Sequence, residues 1–106
     1  MEVDTLYIVS TTCAAREEAE HLARGLLEQG LGACVQLRPV CSHYVWQGVL
    51  QRDDETHVDI KTTEAKLDAV EAFIKQHHSY EVPEILMCRV DKASTDYARW
   101  VRESVI

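Results

Sequence analysis

The sequence predicts an α+β fold, an antiparallel sheet backed by helices, and three observations carry that prediction. Val3 to Thr11 and Ile85 to Val90 are short runs rich in strand-forming residues, and two stripes of helical period lie between them. Between those stripes runs a long segment without helical period that turns back on itself. The element order that results is β-α-β-β-α-β, followed by one further helix. The chain has 106 residues, 46% of them hydrophobic and 27% charged, with four Gly and two Pro, which is the make-up of a compact globular chain. A chain of that size buries roughly two thirds of the surface its unfolded form exposes, so its core closes without metal or disulfide staples. No linker, repeat or low-complexity tract interrupts residues 1–106, and they read as one domain.

In Val3 to Thr11, Leu6, Tyr7, Ile8 and Val9 are consecutive, the pattern of a central strand covered on both faces. From Ala15 the period changes to that of a helix. Ala15, Ala19, Leu22, Ala23, Leu26 and Leu27 form its apolar stripe, Glu17 and Glu18 sit in the favourable first turn, and Gly30 supplies a left-handed stop. Leu31 to Trp46 alternates on either side of Pro39 and reads as one long strand bent or bulged at the proline. At ~3.3 Å per residue that segment spans about 50 Å, against a diameter near 33 Å for a compact domain of this size (radius of gyration about 13 Å). The strand must therefore overhang its own domain. Gly48 to Asp54 reads as the turn, and Thr56, Val58, Ile60 and Thr62 alternate with polar residues on the return strand, so the pair forms a two-stranded arm. Thr63 is the expected cap of a second helix with Leu67, Val70, Phe73 and Ile74 on its apolar side, ending near His77 and His78. Val82-Pro83 forces extended backbone ahead of the strand Ile85 to Val90. Ser94 or Thr95 opens the last helix, with Tyr97, Trp100, Val101 and Val105 on one side.

This is the split β-α-β order of ferredoxin-like folds with an additional C-terminal helix. Two helices cover one face of such a sheet, yet both central strands look buried on both sides. The second face and the overhanging arm together call for an oligomer.

Eleven Lys and Arg against eighteen Asp and Glu give a net charge of -7, which repels phosphate backbones and anionic lipid and argues against nucleic acid or membrane as partners. The start Met1-Glu2-Val3-Asp4 is acidic and unlike a secretion signal. No stretch is long and apolar enough for a membrane span. Cys13, Cys34, Cys41 and Cys88 form no Cys-x-x-Cys pair and read as thiols of a reducing cytoplasm. Gly30-Leu31-Gly32 follows a helix instead of opening one, so it is no phosphate-cradling loop, and the pattern expected of an enzyme, a nucleophile beside a base and its orienting group, is not visible.

Five groups of residues occur in a telling order: Ala33-Cys34 before Pro39; Tyr44-x-Trp46-x-Gly48; Glu55 ahead of Lys61-Thr62; His78-x-Tyr80-x-x-Pro83-Glu84; and Asp96-Tyr97-x-x-Trp100. In order and spacing they resemble the CutA family of divalent-cation tolerance proteins over nearly the whole chain. The resemblance implies a ferredoxin-like protomer assembled as a homotrimer that exchanges β-arms between neighbours. It also implies a role in tolerance of copper or another divalent cation, with copper or a similar ion bound, and with no catalysis. The trimer of that family resembles PII signalling proteins, so the alternative is a signalling or scaffold module that binds a small ligand or protein in intersubunit clefts.

The copper ligands proposed in bacterial members include a tandem His, matched here by His77 and His78, and a Cys near the end of the first strand. That Cys position falls at Thr11 here, with Cys13 two residues later. His77 and His78 are thus the metal candidates that the resemblance carries over. Imidazole suits copper and zinc, but neighbours on a helix point about 100° apart. The competing reading packs one His behind Ile74 and sets the other at the helix terminus, where the dipole favours a cation. His43, His57 and Asp59 form a second constellation if the arm turns near Leu50, against a plain solvated face. Asp59 also departs from the apolar residue usual in the family. Glu55, Lys61, Tyr80 and Trp100 are expected around a cleft between subunits, most simply as a structural ion pair with aromatic anchors. Tyr44 and Trp46 are expected as interface anchors.

Overall fold

The structure, a computed structural model, describes residues 4–106, so the first three residues of the acidic start and the Val3 end of the first expected strand lie outside the described residues. The elements are β1 (Leu6–Cys13), α1 (Arg16–Glu28), β2 (Cys34–Trp46), β3 (Val49–Thr63), α2 (Leu67–His77), β4 (Leu86–Arg89) and α3 (Thr95–Ser104). The strands form one antiparallel sheet in the order β2-β3-β1-β4. That is the arrangement expected of the split β-α-β order.

Side chains alternate across the sheet. Val9 and Cys13 of β1 and Val58 and Ile60 of β3 point to the face covered by α1 and α2, where they meet Ala19, Leu22, Leu26, Val70, Phe73 and Ile74 in one buried core. Leu6 has the opposite parity and packs with Ala33, Ala98 and Val101, which places α3 on the other face, at one end. The second face is thus partly covered by the chain itself. The two-sided burial expected of the last strand is not met within one chain, where Leu86 is 56% exposed and Cys88 is exposed.

The arm is real, but its outgoing strand starts at Cys34 and not at Leu31, while its return strand starts at Val49, earlier than its sequence pattern suggested. Every pair from Cys34↔Lys61 to Trp46↔Val49 keeps one register, so there is no bulge at Pro39. Pro39 is tolerated because β2 is an edge strand, where a missing N–H breaks no ladder. The turn is only Gln47 and Gly48, both with positive φ (51° and 80°), and this corrects the turn expected over Gly48 to Asp54. Two left-handed residues match the twist of a two-residue hairpin, and Gly48 takes that conformation without steric penalty. β1 pairs with β3 only as far as Cys13↔Thr56, so beyond Thr56 the hairpin has no third strand. The longest dimension of the molecule is 50 Å, as the overhang argument required.

α1 ends where expected, with Gly30 at φ 67° and the Leu31 N–H donating to the Leu26 carbonyl. Thr63 does not cap by its side chain. It ends β3 in extended backbone, a single 3-10 turn (Glu64–Lys66) intervenes, and only then does α2 begin. Ser94 does cap α3, its hydroxyl accepting from the Tyr97 N–H. Ala98 and Val101 form the buried stripe of that helix, while Tyr97 and Trp100 stay exposed.

Candidate functional site

One corner of the molecule gathers the end of β1, the first turn of α1, the end of α2 and the base of the arm. β1 delivers Cys13 there because its odd-numbered residues face the helices, and α1 opens three residues later with Glu18 in its first turn. α2 ends at the same corner, and at its C-cap His78 leaves helical backbone (φ -89°, ψ 141°). One ligand atom from each of Cys13, Glu18 and His78 lies within 4.8 Å of the other two.

The imidazole of His78 has no exposed side-chain surface. Its Nε2 donates to the Thr12 carbonyl (2.8 Å), and its Nδ1 accepts from the Tyr80 N–H (3.0 Å). A carbonyl can only accept and an amide can only donate, so the partners themselves fix a neutral ring. Glu18 reaches the same ring at 3.7 Å and also accepts from the N–H and hydroxyl of Ser79 (2.7 and 3.0 Å). Burial, with the negative charges of Glu18 and Glu55, pushes the Cys13 thiol up from 9.0 to about 12, so it is protonated at neutral pH. Together the donors are a soft thiol, an imidazole and a carboxylate, a set that suits copper or zinc.

Next to this corner lies an open groove of about 850 Å³ between the arm and residues 79–84. Tyr44, Trp46, Glu55 and Tyr80 line it. The Tyr80 hydroxyl donates to Glu55 at 2.6 Å, and burial with that carboxylate raises its pKa well above the ordinary range. Tyr44 donates to Asp53 across the arm.

Several expected groupings do not form within one chain. Lys61 lies six residues from Glu55 along β3, ~20 Å away, and donates to Gln36 instead. Trp100 packs against Tyr97 on α3. Because the turn falls at Gln47-Gly48 and not near Leu50, His43 sits opposite Arg52 and His57 opposite Arg38, so the three-residue constellation on the arm is lost. His57 and Asp59 do pair (2.9 Å), and Ser10 donates to the same carboxylate (2.7 Å). Burial raises the Asp59 pKa, but those two hydrogen bonds and the charges of His57 and Arg38 outweigh it and leave the group below the ordinary range.

His77 and His78 are engaged on different sides. His77 is exposed, and its ring stacks on Phe73 (4.1 Å between centroids) with Nδ1 donating to the Phe73 carbonyl (2.9 Å). Thr11, at the family's Cys position, is fully buried on the helix-covered face, and its hydroxyl has no hydrogen-bond partner among the described residues. Cys13 is the thiol that meets His78. Sequence reasoning missed Glu18, whose place in a helical first turn already had an electrostatic explanation.

Residues 7–104 match the family described as CutA1 divalent ion tolerance protein. The "Divalent-cation tolerance protein CutA" of Pyrococcus horikoshii is 36% identical over 98 residues, covering 92% of this chain and 96% of that protein. The "Protein CutA homolog" of Xenopus laevis is 36% identical over 95 residues, 89% of this chain, and the chain spans only 63% of that protein's length. The solved structure of CutA from Synechococcus elongatus superposes with a TM-score of 0.93 at 36% identity, covering 100% of this chain and 95% of that one. A rice relative is named chloroplastic. Among the described residues, no helix is long and apolar enough to cross a membrane.

Proposed function

Because the chain belongs to the CutA1 divalent ion tolerance family, we propose that it acts in divalent-cation tolerance as a cytoplasmic homotrimer that binds copper or a similar divalent cation, without catalysing a reaction. The observation that carries this reading is the convergence of Cys13, Glu18 and His78 at the end of β1. Of the tandem histidines, His78 belongs to this site. Cys13 supplies the thiol that the family places near the end of its first strand. A bound ion takes the thiolate, so the Cys13 proton must leave, and the His78 Nδ1 must exchange the Tyr80 N–H for the ion. Each ion therefore displaces one proton, and affinity rises about tenfold per pH unit while the free thiol remains protonated.

The trimer is supported by the arm, which presents Val45, Val49 and Leu50 at 66%, 56% and 78% exposure on a two-stranded projection. Apolar side chains on a ribbon with no third strand find burial only against another chain. Tyr44 and Trp46 lie on the same projection and serve as its anchors. The groove between the arm and residues 79–84 favours a second reading, a PII-like module that holds a small ligand or protein between subunits, with Glu55 and Tyr80 as its polar contacts.

Native mass spectrometry of the reduced, metal-free protein during a copper or zinc titration separates the readings. The expected spectrum is a trimer that saturates at an integral number of ions and holds three fewer in Cys13→Ser. A monomer sinks the assembly. Graded adducts that never saturate, equal in Cys13→Ser, sink the metal site.

A further inference from the structure

α1 and α2 pack unusually closely at one point: Gly25 lies against the Phe73 ring, which a Cβ at position 25 would overlap. His21 is one turn before Gly25 on α1, and His77 is one turn after Phe73 on α2. Helices that cross in antiparallel sense at Gly25 and Phe73 must bring those two positions together, and they do: the rings are 6.1 Å apart between centroids, tilted by 55°. Both residues are exposed.

We propose that His21 and His77 form a second divalent-cation site, one that takes zinc or copper(II) and is separate from the corner holding Cys13. His77 is already set as a ligand. Its Nδ1 proton is committed to the Phe73 carbonyl, which leaves the lone pair on Nε2, and stacking on Phe73 fixes the ring plane. A backbone carbonyl behind the far ring nitrogen is the usual support of a metal-bound histidine. Two imidazoles sharing one tetrahedral ion at ~2.0–2.1 Å per nitrogen place their centroids roughly 5–5.5 Å apart, and the observed 6.1 Å closes to that by a small rotation of the exposed His21 side chain. Water completes the shell of an ion held by the two exposed imidazoles, and Glu17, one turn before His21 on α1 and exposed, adds a negative charge on that side of the helix. His78, although adjacent in sequence, does not contribute, because it leaves the helix and its ring faces the thiol corner, toward Thr12, Tyr80 and Glu18. The site rests on helix packing alone and stands whether or not the thiol corner binds an ion.

Zinc titration of the full-length Cys13→Ser protein tests it, with calorimetry for affinity and nitrogen NMR of the imidazoles for location. The expected result is one zinc per chain, with the His21 and His77 ring resonances shifting together while those of His43 and His57 stay in place. His21→Gln and His77→Gln should each weaken binding at least tenfold. Unchanged affinity in both Gln variants overturns the site. So does zinc uptake that leaves the His21 resonances where they were.

Discussion

Between pH 9 and 12 the metal-free, reduced protein should lose about 4 kcal/mol of stability through Cys13 alone. The buried thiol keeps its proton up to about pH 12 in the fold, whereas its ordinary value is 9.0. Above pH 9 the unfolded chain sheds that proton and the folded chain does not. The contribution is complete below pH 9 and is lost at about 1.4 kcal/mol per pH unit as pH rises through the folded value. Tyr44, Tyr80 and Tyr97 are also raised and add losses of the same sign. The Cys13 share is therefore the difference in slope between wild type and Cys13→Ala, read by urea denaturation at several pH values and one fixed chain concentration. Equal slopes would mean that the thiol is not held neutral by burial and by its acidic neighbours.

Replacing the two adjacent histidines should have very different consequences. His78→Ala removes a buried ring that accepts from the nearby Tyr80 N–H and donates to the Thr12 carbonyl, 66 residues away in the chain. The variant leaves two polar groups without partners and a cavity behind them, for a loss of about 3 kcal/mol. His77→Ala gives up one hydrogen bond and partial stacking at an exposed position, for less than about 1 kcal/mol. Denaturant midpoints of the metal-free variants check the pair. A His78→Ala protein as stable as His77→Ala would show that the buried ring is not the tie between β1 and the segment after α2.

Much of the fold was legible because burial imposes a period on sequence. The stripes Leu22-Leu26 and Val70-Phe73-Ile74 and the stop at Gly30 are signatures of packing on one side and water on the other. The arm was harder. Residues 51–54 are polar because a two-stranded ribbon exposes both faces, and polar residues that elsewhere mark a turn here continue a strand. The register that separates His43 from His57 depends on where a two-residue turn falls, and a short shift moves every partner. The candidate site was half legible. His78 stood out beside its neighbour, but its role depends on backbone groups of Thr12 and Tyr80 that no side-chain pattern reveals. Glu18 and His21 looked like ordinary surface residues of an amphipathic helix. Their significance comes from α2 ending beside the start of α1, a tertiary fact.

Cys13, Glu18 and His78 as one cation site is the claim on which the functional account turns, and zinc K-edge X-ray absorption addresses it most directly. The measurement uses full-length His21→Gln protein loaded with one zinc per chain, so that the helix-pair site does not contribute. The account predicts one sulfur neighbour at ~2.3 Å with nitrogen and oxygen neighbours at ~2.0–2.2 Å, and loss of the sulfur in the additional Cys13→Ser variant. A zinc ion surrounded by nitrogen and oxygen alone would contradict it.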